Sequence, residues 1–176
     1  MSREDLARDI HRVAHLTGTF TLRSGRTATE YFDKYRFEAD PRLLQRVAEA
    51  LVELVPPETD VLAGLEMGGI PIATALSRET GLPAAFVRKK AKEYGTMRLA
   101  EGADVEGRRV LVVEDVVTSG GQVVISSGDL REHGAIIDTV VCVIDRQGGG
   151  AEALADAGLT LRPLLTRDDI ARAVDG

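Results

Sequence analysis

The sequence predicts an α/β protein in which helices flank a mostly parallel, twisted sheet. Short runs of β-branched and aliphatic residues, such as residues 110–113, alternate with helical patterns through the middle and end of the chain. This alternation is typical of a parallel sheet wrapped by helices. Glycine-rich loops lie between a predicted strand and the next helix at two places, residues 66–71 and 118–121. The 176 residues suit one domain, and no repeat or linker divides them, so we predict a single domain over residues 1–176.

The composition of the chain limits which partners and which cellular compartment we expect for this protein. The chain has 22 basic and 28 acidic residues, for a net charge of −6, so its overall field repels nucleic acid and we expect no such partner. The single cysteine, Cys142, lies in the apolar run 139–144, which indicates a core residue without a disulfide. No apolar stretch approaches about 20 residues, so we expect no membrane span and a cytoplasmic protein.

The N-terminal part is predicted to form a helix and two short strands. Residues 2–5 form a capping box that opens the helix, and Gly18 is expected to close it. Residues 20–34 read as two strands joined by a turn at Ser24 and Gly25. Because adjacent residues of a strand point to opposite faces, either Tyr31 or Phe32 could cover a planar ligand while the other enters the core. The open alternative is that both rings serve in core or hinge packing.

Two histidines on the predicted first helix form a possible metal pair. His11 and His15 are four residues apart, which places them on one helix face. No third ligand is close in sequence, so we expect them to be polar surface residues.

The middle of the chain alternates predicted helices and strands. A helix begins at Asp40 and Pro41 and ends before Pro56. Strands are predicted at residues 61–64 and 84–87, with a helix over 72–80 between them. The second strand is followed by a basic run, residues 88–98, without a clear apolar period. That run is either a solvated charged loop or a lid that closes over a polyphosphate.

Two adjacent acids, Glu114 and Asp115, follow the predicted strand 110–113, and a hydroxyl- and glycine-rich loop, 118–121, precedes the next helix. Unpaired N–H groups and the helix dipole make such a loop an anion site. The spacing fits neither a P-loop nor a dinucleotide fingerprint. Acids that hold a diol and a loop that holds a phosphate indicate a ribose 5-phosphate. A ligand-free surface turn is the alternative, but it gives no reason for two acids at a buried strand.

The C-terminal part contains the last predicted site residue. A strand over residues 136–144 ends at Asp145 and Arg146. Open α/β sheets bind ligands outside the carboxyl ends of their strands, so Arg146 is expected to face the same crevice as Asp115. A guanidinium suits a planar carboxylate. A short helix over 151–157, an edge strand over 159–164 and a final helix capped at 166–169 complete the prediction.

These motifs resemble a known family. Residues 110–122 resemble the phosphoribosyl-diphosphate (PRPP) signature of the type I phosphoribosyltransferases, which also include transferases for purines and other bases and non-catalytic regulators. Three further segments are similar to the orotate phosphoribosyltransferases: residues 20–34, the basic run with Arg88, Lys89 and Lys92, and Asp145-Arg146-Gln147. The resemblance extends from about residue 20 to residue 150.

The resemblance implies roles for individual residues. Catalysis would involve Asp115, Lys92 and Glu114, and no residue would bind a metal directly, because Mg²⁺ would be held mainly by PRPP. Orotate would be bound by Arg146, Thr118, Tyr31, Phe32 and Arg23. The implied PRPP-binding set is Gly68, Gly69, Arg88, Lys89, Lys92, Glu114, Asp115, Val116, Val117, Thr118, Ser119, Gly120, Gly121 and Gln122.

The resemblance also implies an organisation and partners. Residues 1–38 would form a base-binding segment and residues 39–176 an α/β core with a basic lid over 88–103. The partners would be PRPP, orotate and a second copy of the chain, whose lid reaches across a homodimer interface. Three positions depart from the family pattern: Gly68 and Arg23 each stand where many members have lysine, and Tyr94 stands where many have histidine.

Overall fold

The computed structural model describes residues 2–22, 24–91 and 99–175, which form one large sheet, one hairpin and surrounding helices. In the described part of the chain, no helix is long and apolar enough to cross a membrane. The helices are α1 (Arg3–Ala14), α2 (Tyr35–Glu38), α3 (Pro41–Leu51), α4 (Gly69–Thr80), α5 (Gly121–Glu132), α6 (Gly150–Asp156) and α7 (Arg167–Asp175). The strands are β1 (His15–Thr21), β2 (Thr27–Phe32), β3 (Val61–Leu65), β4 (Ala84–Val87), β5 (Ala100–Gly102), β6 (Val110–Val117), β7 (Thr139–Asp145) and β8 (Thr160–Thr166).

The large sheet confirms the predicted fold class. Its strand order is β5-β4-β3-β6-β7-β8, and every neighbouring pair is parallel except β4 and β5. Helices cover both faces. One core layer lies between the sheet and α1, α3, α4 and α7, and the other contains side chains of α5 and α6. The central β6 therefore delivers its carboxyl end to the middle of the molecule, beside the ends of β3 and β7.

The first helix ends earlier than the sequence predicted. α1 has the expected Ser2–Asp5 capping box but stops at Ala14. His15 begins β1, which pairs with β2 in an antiparallel hairpin. The prediction that Gly18 closes the helix is therefore wrong. Gly18 instead lies where the β1–β2 register shifts, which is a common place for glycine in a strand.

Other boundaries also differ. The acids Glu114 and Asp115 lie inside β6 and not after it, because Val116 and Val117 continue the pairing with β7. α4 begins at Gly69, and β7 begins at Thr139. Two elements were not predicted: α2 and the short strand β5, which occupies part of the segment 88–103 that the sequence assigned to a lid.

Candidate active site

The loops after β3, β6 and β7 pack directly on one another at the carboxyl edge of the sheet. A Cβ on Gly69 would lie 2.3 Å from the Val113 carbonyl oxygen, and one on Gly150 would lie 2.5 Å from Val117 Cγ1. Glycine is needed here because the backbones approach more closely than any side chain allows. The two predicted glycine loops and the Arg146 loop therefore share one crevice.

Asp115 is the most buried polar residue of this crevice. Its side chain has no exposed surface, and Lys34 Nζ lies 2.6 Å from its Oδ2. The Val116 N–H donates to Oδ1 at 2.6 Å. The glycine loop covers the other side, since a Cβ on Gly68 would lie only 1.6 Å from Oδ2. The carboxylate is thus held between an ammonium group and a side-chain-free turn.

Two further carboxyl groups surround this ion pair. Burial, followed by the negative charge of Asp115, raises the pKa of Glu38 to about 9. The same two causes raise the pKa of Glu114 to about 8. Burial acts to lower the pKa of Lys34, but its contact with Asp115 outweighs this, so the pKa of Lys34 is raised. At neutral pH, Glu38 and Glu114 therefore carry protons, and the Lys34 ammonium is paired with Asp115.

The loop after β6 has the features of an anion site. Thr118 and Ser119 are exposed. Gly120 has φ +76° and precedes α5 without a side-chain cap, which leaves the first N–H groups of a twelve-residue helix open to a ligand. Gln122 points along the helix and donates to Ser126 Oγ at 3.1 Å. The side chain of Gln122 is thus engaged within α5.

The described start of the basic run lies beside the loop after β3. The Lys89 backbone N–H donates to Glu66 Oε1 in a very short hydrogen bond. Arg88 Nη2 lies 3.8 Å from Glu101 Oε1 on β5. The side chain of Lys89 is exposed. Arg88 and Lys89 are therefore placed at the glycine loop that contains Gly68 and Gly69.

Arg146 lies over an aromatic ring. Its guanidinium carbon is 5.8 Å from the centre of the Phe32 ring, within cation–π distance. Its backbone N–H donates to the Val117 carbonyl at 2.8 Å. Phe32 packs against the core, whereas Tyr31 is 47% exposed and stacks on Phe20. Phe32 therefore contributes to the core and Tyr31 is half exposed, which confirms the strand alternation predicted for this pair.

A cavity of about 590 Å³ opens beside Arg146. The rings of His11 and His15 stack at 4.5 Å in its wall, and His15 Nε2 lies 3.6 Å from Glu30 Oε2. The expectation that both histidines belong to one helix is wrong, because His15 starts β1. The cavity is lined by His11, His15, Glu30, Tyr31, Phe32, Ile144, Arg146, Arg167, Ile170, Ala171, Val174 and Asp175.

Arg23, Lys92 and Tyr94 lie outside the described residues, so the structure places none of them. Conversely, two residues of the crevice were not predicted. Lys34 and Glu38 are four residues apart, a spacing that in sequence resembles an ordinary surface ion pair on a helix. Only the approach of α2 to β6 shows that both side chains converge on Asp115.

Comparison with known proteins identifies the family. The profile of the phosphoribosyl transferase domain matches residues 35–160. An orotate phosphoribosyltransferase from Nocardioides sp. is 61% identical over 165 residues, which cover 94% of this chain and 92% of that protein. The chain belongs to the orotate phosphoribosyltransferase family. Another orotate phosphoribosyltransferase, from Methanopyrus kandleri, is 42% identical over 171 residues, with 97% and 92% of the two chains covered.

Solved structures of orotate phosphoribosyltransferases agree with this assignment. The Mycobacterium tuberculosis enzyme in complex with Fe(III) dicitrate superimposes with a TM-score of 0.87 at 36% identity, covering 96% of this chain and 98% of that one. The same enzyme in complex with PRPP gives a TM-score of 0.83 at 32% identity, with the same coverage. An adenine phosphoribosyltransferase from Thermoanaerobacter pseudethanolicus, 19% identical with a TM-score of 0.68, shares the fold alone.

Proposed function

We propose that this orotate phosphoribosyltransferase transfers ribose 5-phosphate from PRPP to orotate, giving orotidine 5′-phosphate and diphosphate for pyrimidine biosynthesis. The observation that carries the proposal is the position of Arg146. Val117 pairs with Asp145, so the loops that begin at Thr118 and Arg146 leave the sheet side by side. A carboxylate-binding cation thereby stands beside a phosphate-binding loop, as a substrate pair of orotate and PRPP requires.

Orotate fits between Arg146 and the N-terminal hairpin. The Arg146 guanidinium is positioned to pair with the orotate carboxylate. The ring of Phe32 supports this guanidinium through a cation–π contact. Tyr31, half exposed on the same strand, is available to cover the pyrimidine ring, with Thr118 and Arg23 as further contacts. A neutral purine has no carboxylate to pair with Arg146, which is the reason for the preference for orotate.

PRPP fits across the loops of β3 and β6. The 5′-phosphate is assigned to residues 118–122 at the start of α5, and the ribose hydroxyls to Asp115 and Glu114. The diphosphate is assigned to Gly68 and Gly69 of the β3 loop with Arg88, Lys89 and Lys92. Support comes from the M. tuberculosis relative, which is known in complex with PRPP.

Mg²⁺ is proposed to enter the site with PRPP. Carboxylate oxygens such as those at the end of β6 are donors that Mg²⁺ accepts. Among the described residues, no group of three His, Cys, Asp or Glu is arranged to hold a metal ion by itself. Most of its ligands are assigned to the diphosphate and ribose oxygens, because Mg²⁺ prefers substrate oxygens and retained waters. When bound, the ion supplies positive charge to the leaving diphosphate.

The residues of the crevice contribute positioning and charge rather than a covalent intermediate. Displacement at the anomeric carbon passes through an oxocarbenium-like transition state, with negative charge growing on the diphosphate. The N–H groups of the glycine loops and the cations Arg88, Lys89 and Lys92 offset that charge. Asp115 holds the ribose in place, and Arg146 aligns the attacking pyrimidine. Exclusion of water by the basic lid protects the reactive sugar.

We further propose a cytoplasmic homodimer in which the basic lid of one subunit reaches the diphosphate of the other. Residues 88–98 contain five basic residues and one acidic residue, so a highly charged anion suits the lid as a ligand. The buried, unpaired Cys142 suits a reducing compartment.

The direct test is the absorbance change of orotate on addition of PRPP and Mg²⁺, with hypoxanthine, adenine and uracil run in parallel. We expect turnover of orotate and no turnover of the other three bases. Turnover of a purine without orotate would refute the substrate assignment, and PRPP binding without turnover of any base would indicate a regulator.

A further inference from the structure

Lys34 makes a contact that the reaction described above does not use. It directly precedes α2, and its Nζ lies 2.6 Å from Asp115 Oδ2. The two side chains differ sharply in exposure: that of Lys34 is 33% exposed and that of Asp115 is fully buried. The ammonium group thus stands between the ribose-binding carboxylate and solvent.

The position of Lys34 is fixed by its surroundings. The Asp33 N–H donates to the Ala14 carbonyl at 2.8 Å, which attaches the start of this turn to the end of α1. Phe37, three residues after Lys34, is completely buried in the core. Lys34 Nζ also lies 5.2 Å from the centre of the Tyr35 ring. The lysine is therefore built into the fold at this point and is not a freely moving surface cation.

Charge balance gives Lys34 a specific task. Glu38, Glu114 and Asp115 converge on one buried region, and among the described residues Lys34 is the one cation within ion-pair distance of Asp115. A buried carboxylate without a counter-charge takes up a proton. A protonated Asp115 accepts hydrogen bonds from ribose hydroxyls less strongly than an ionised one.

Lys34 also connects the two substrate sites. It follows Phe32 by two residues, and Phe32 lies beneath Arg146. One short stretch of chain therefore contacts both the proposed orotate site and the proposed ribose site.

We propose that Lys34 is a positioning residue of the ribose site, which keeps the Asp115 carboxylate charged and oriented against the glycine loop. This inference rests on the proposed function, because it assumes that Asp115 binds the ribose of PRPP. The groups that interact with Asp115 are Lys34 and Glu38 from the turn and α2, Glu114 from β6, Cys142 from β7, and the backbone at Gly68.

The test compares Lys34→Met, which has similar length and no charge, with Lys34→Arg, which keeps the charge. Arg36→Met is the matched control, because Arg36 is exposed on the same turn and its loss changes the net charge equally. Lys34→Met is expected to raise the KM for PRPP at least tenfold and that for orotate less than threefold. Lys34→Arg should recover most of the loss, and Arg36→Met should match the parent.

Two readouts separate positioning from a structural effect. In Lys34→Met, the acidic limb of the kcat/KM profile for PRPP should move to higher pH. Without the ammonium group, proton uptake by the buried carboxylate competes with the binding of PRPP. Calorimetry without Mg²⁺ should show weaker binding of orotidine 5′-phosphate to Lys34→Met but not to Arg36→Met. PRPP kinetics, product affinity and a pH profile that all match the parent would overturn the inference.

If Lys34→Met does not fold, chemical rescue of a cysteine variant provides a second test of the role of the ammonium group. Lys34→Cys can be alkylated with 2-bromoethylamine, which rebuilds an ammonium group of nearly the same length, or with neutral iodoacetamide as the control. The native Cys142 is fully buried, and burial raises the pKa of its thiol, so it stays unmodified. Recovery with both reagents would overturn the inference. A parent protein that does not use orotate would instead refute the proposed function.

Discussion

Gly68 has no space for a side chain, which makes it a sensitive position in the crevice. A Cβ there would lie 1.6 Å from Asp115 Oδ2, so Gly68→Ala must displace the carboxylate or the loop. We expect a higher KM for PRPP and a loss of about 1–3 kcal/mol in the free energy of unfolding. The measurements are steady-state kinetics and urea unfolding.

The control for this substitution is Gly128→Ala. Gly128 lies within α5, and a Cβ there meets nothing within 4 Å. Because alanine favours a helix more than glycine does, this variant should gain about 0.5–1 kcal/mol and keep parental kinetics. Equal behaviour of the two alanine variants would contradict the close packing of Gly68 on Asp115.

Arg146 tests the substrate assignment. Loss of a charge-assisted bidentate contact costs about 1.5–3 kcal/mol, so Arg146→Ala should raise the KM for orotate about tenfold or more and leave that for PRPP nearly unchanged. Arg167→Ala is the control, since Arg167 lines the same cavity and is well exposed. An equal rise for both substrates in Arg146→Ala would make Arg146 a structural residue.

At the residue scale, the sequence predicts those groups whose position follows from a strand and its adjoining loop. Asp115, Thr118 and Arg146 each lie at the carboxyl end of a parallel strand, so their convergence follows from the fold class alone. Lys34 and Glu38 could not be predicted, because their position depends on how a four-residue helix docks against β6.

At the scale of elements, the contact between α2 and β6 predicts how stability depends on pH. The pKa of Glu38 is raised from 4.5 to about 9, and that of Glu114 from 4.5 to about 8. Between these values the folded protein retains protons that the unfolded chain has released. The stabilisation is therefore complete below pH 4.5 and is lost as pH rises toward 8 and 9. We expect the free energy of unfolding to fall across this interval.

The variant Glu38→Gln isolates this contribution. A neutral amide replaces the protonated acid and cannot ionise, so the free energy of unfolding should fall less steeply with pH, by up to about 1.4 kcal/mol per pH unit. Urea unfolding at pH 5, 7 and 8.5 provides the measurement. The exposed Glu53→Gln is the control and should keep the parental slope. Identical slopes for Glu38→Gln and the parent would refute a protonated Glu38.

Elements with strong local signals were predicted well, and short ones were missed. α3 begins at the Asp40 cap and the Pro41 that the sequence indicates. β5 has three residues, Ala100, Glu101 and Gly102, none of which favours a strand. It forms because β4 offers an open edge, a tertiary effect that no local pattern contains. The early end of α1 has the same origin, since β1 pairs with β2.

At the scale of the whole molecule, the proposed homodimer predicts that two inactive variants can restore each other. Lys92→Ala lacks a cation of the proposed lid, and Asp115→Asn lacks the charge of the proposed ribose site. After subunit exchange, a hybrid dimer should have one site with both intact groups. Random exchange of an equal mixture makes about half of the dimers hybrid, so activity should return to about a quarter of that of the parent. Exchange is followed by mass, and activity by orotate absorbance.

The control mixes Lys92→Ala with the double variant that carries both substitutions. Every site in that hybrid lacks at least one group, so no activity should return. If exchange is complete and the first mixture also remains inactive, the lid acts within its own subunit.

The pairing of β4 with β5 has a consequence for how the family can vary. The Arg88 N–H donates to the Leu99 carbonyl at 2.9 Å, and Val87 faces Ala100 across the ladder. The two ends of the intervening segment are thus joined by the sheet itself, and the cost of closing a loop changes slowly with its length. Replacing residues 90–98 by Asn-Gly should leave the melting temperature within a few degrees of the parent while abolishing turnover. Changes in the length of this segment can therefore be selected for their effect on catalysis at only a small cost in stability.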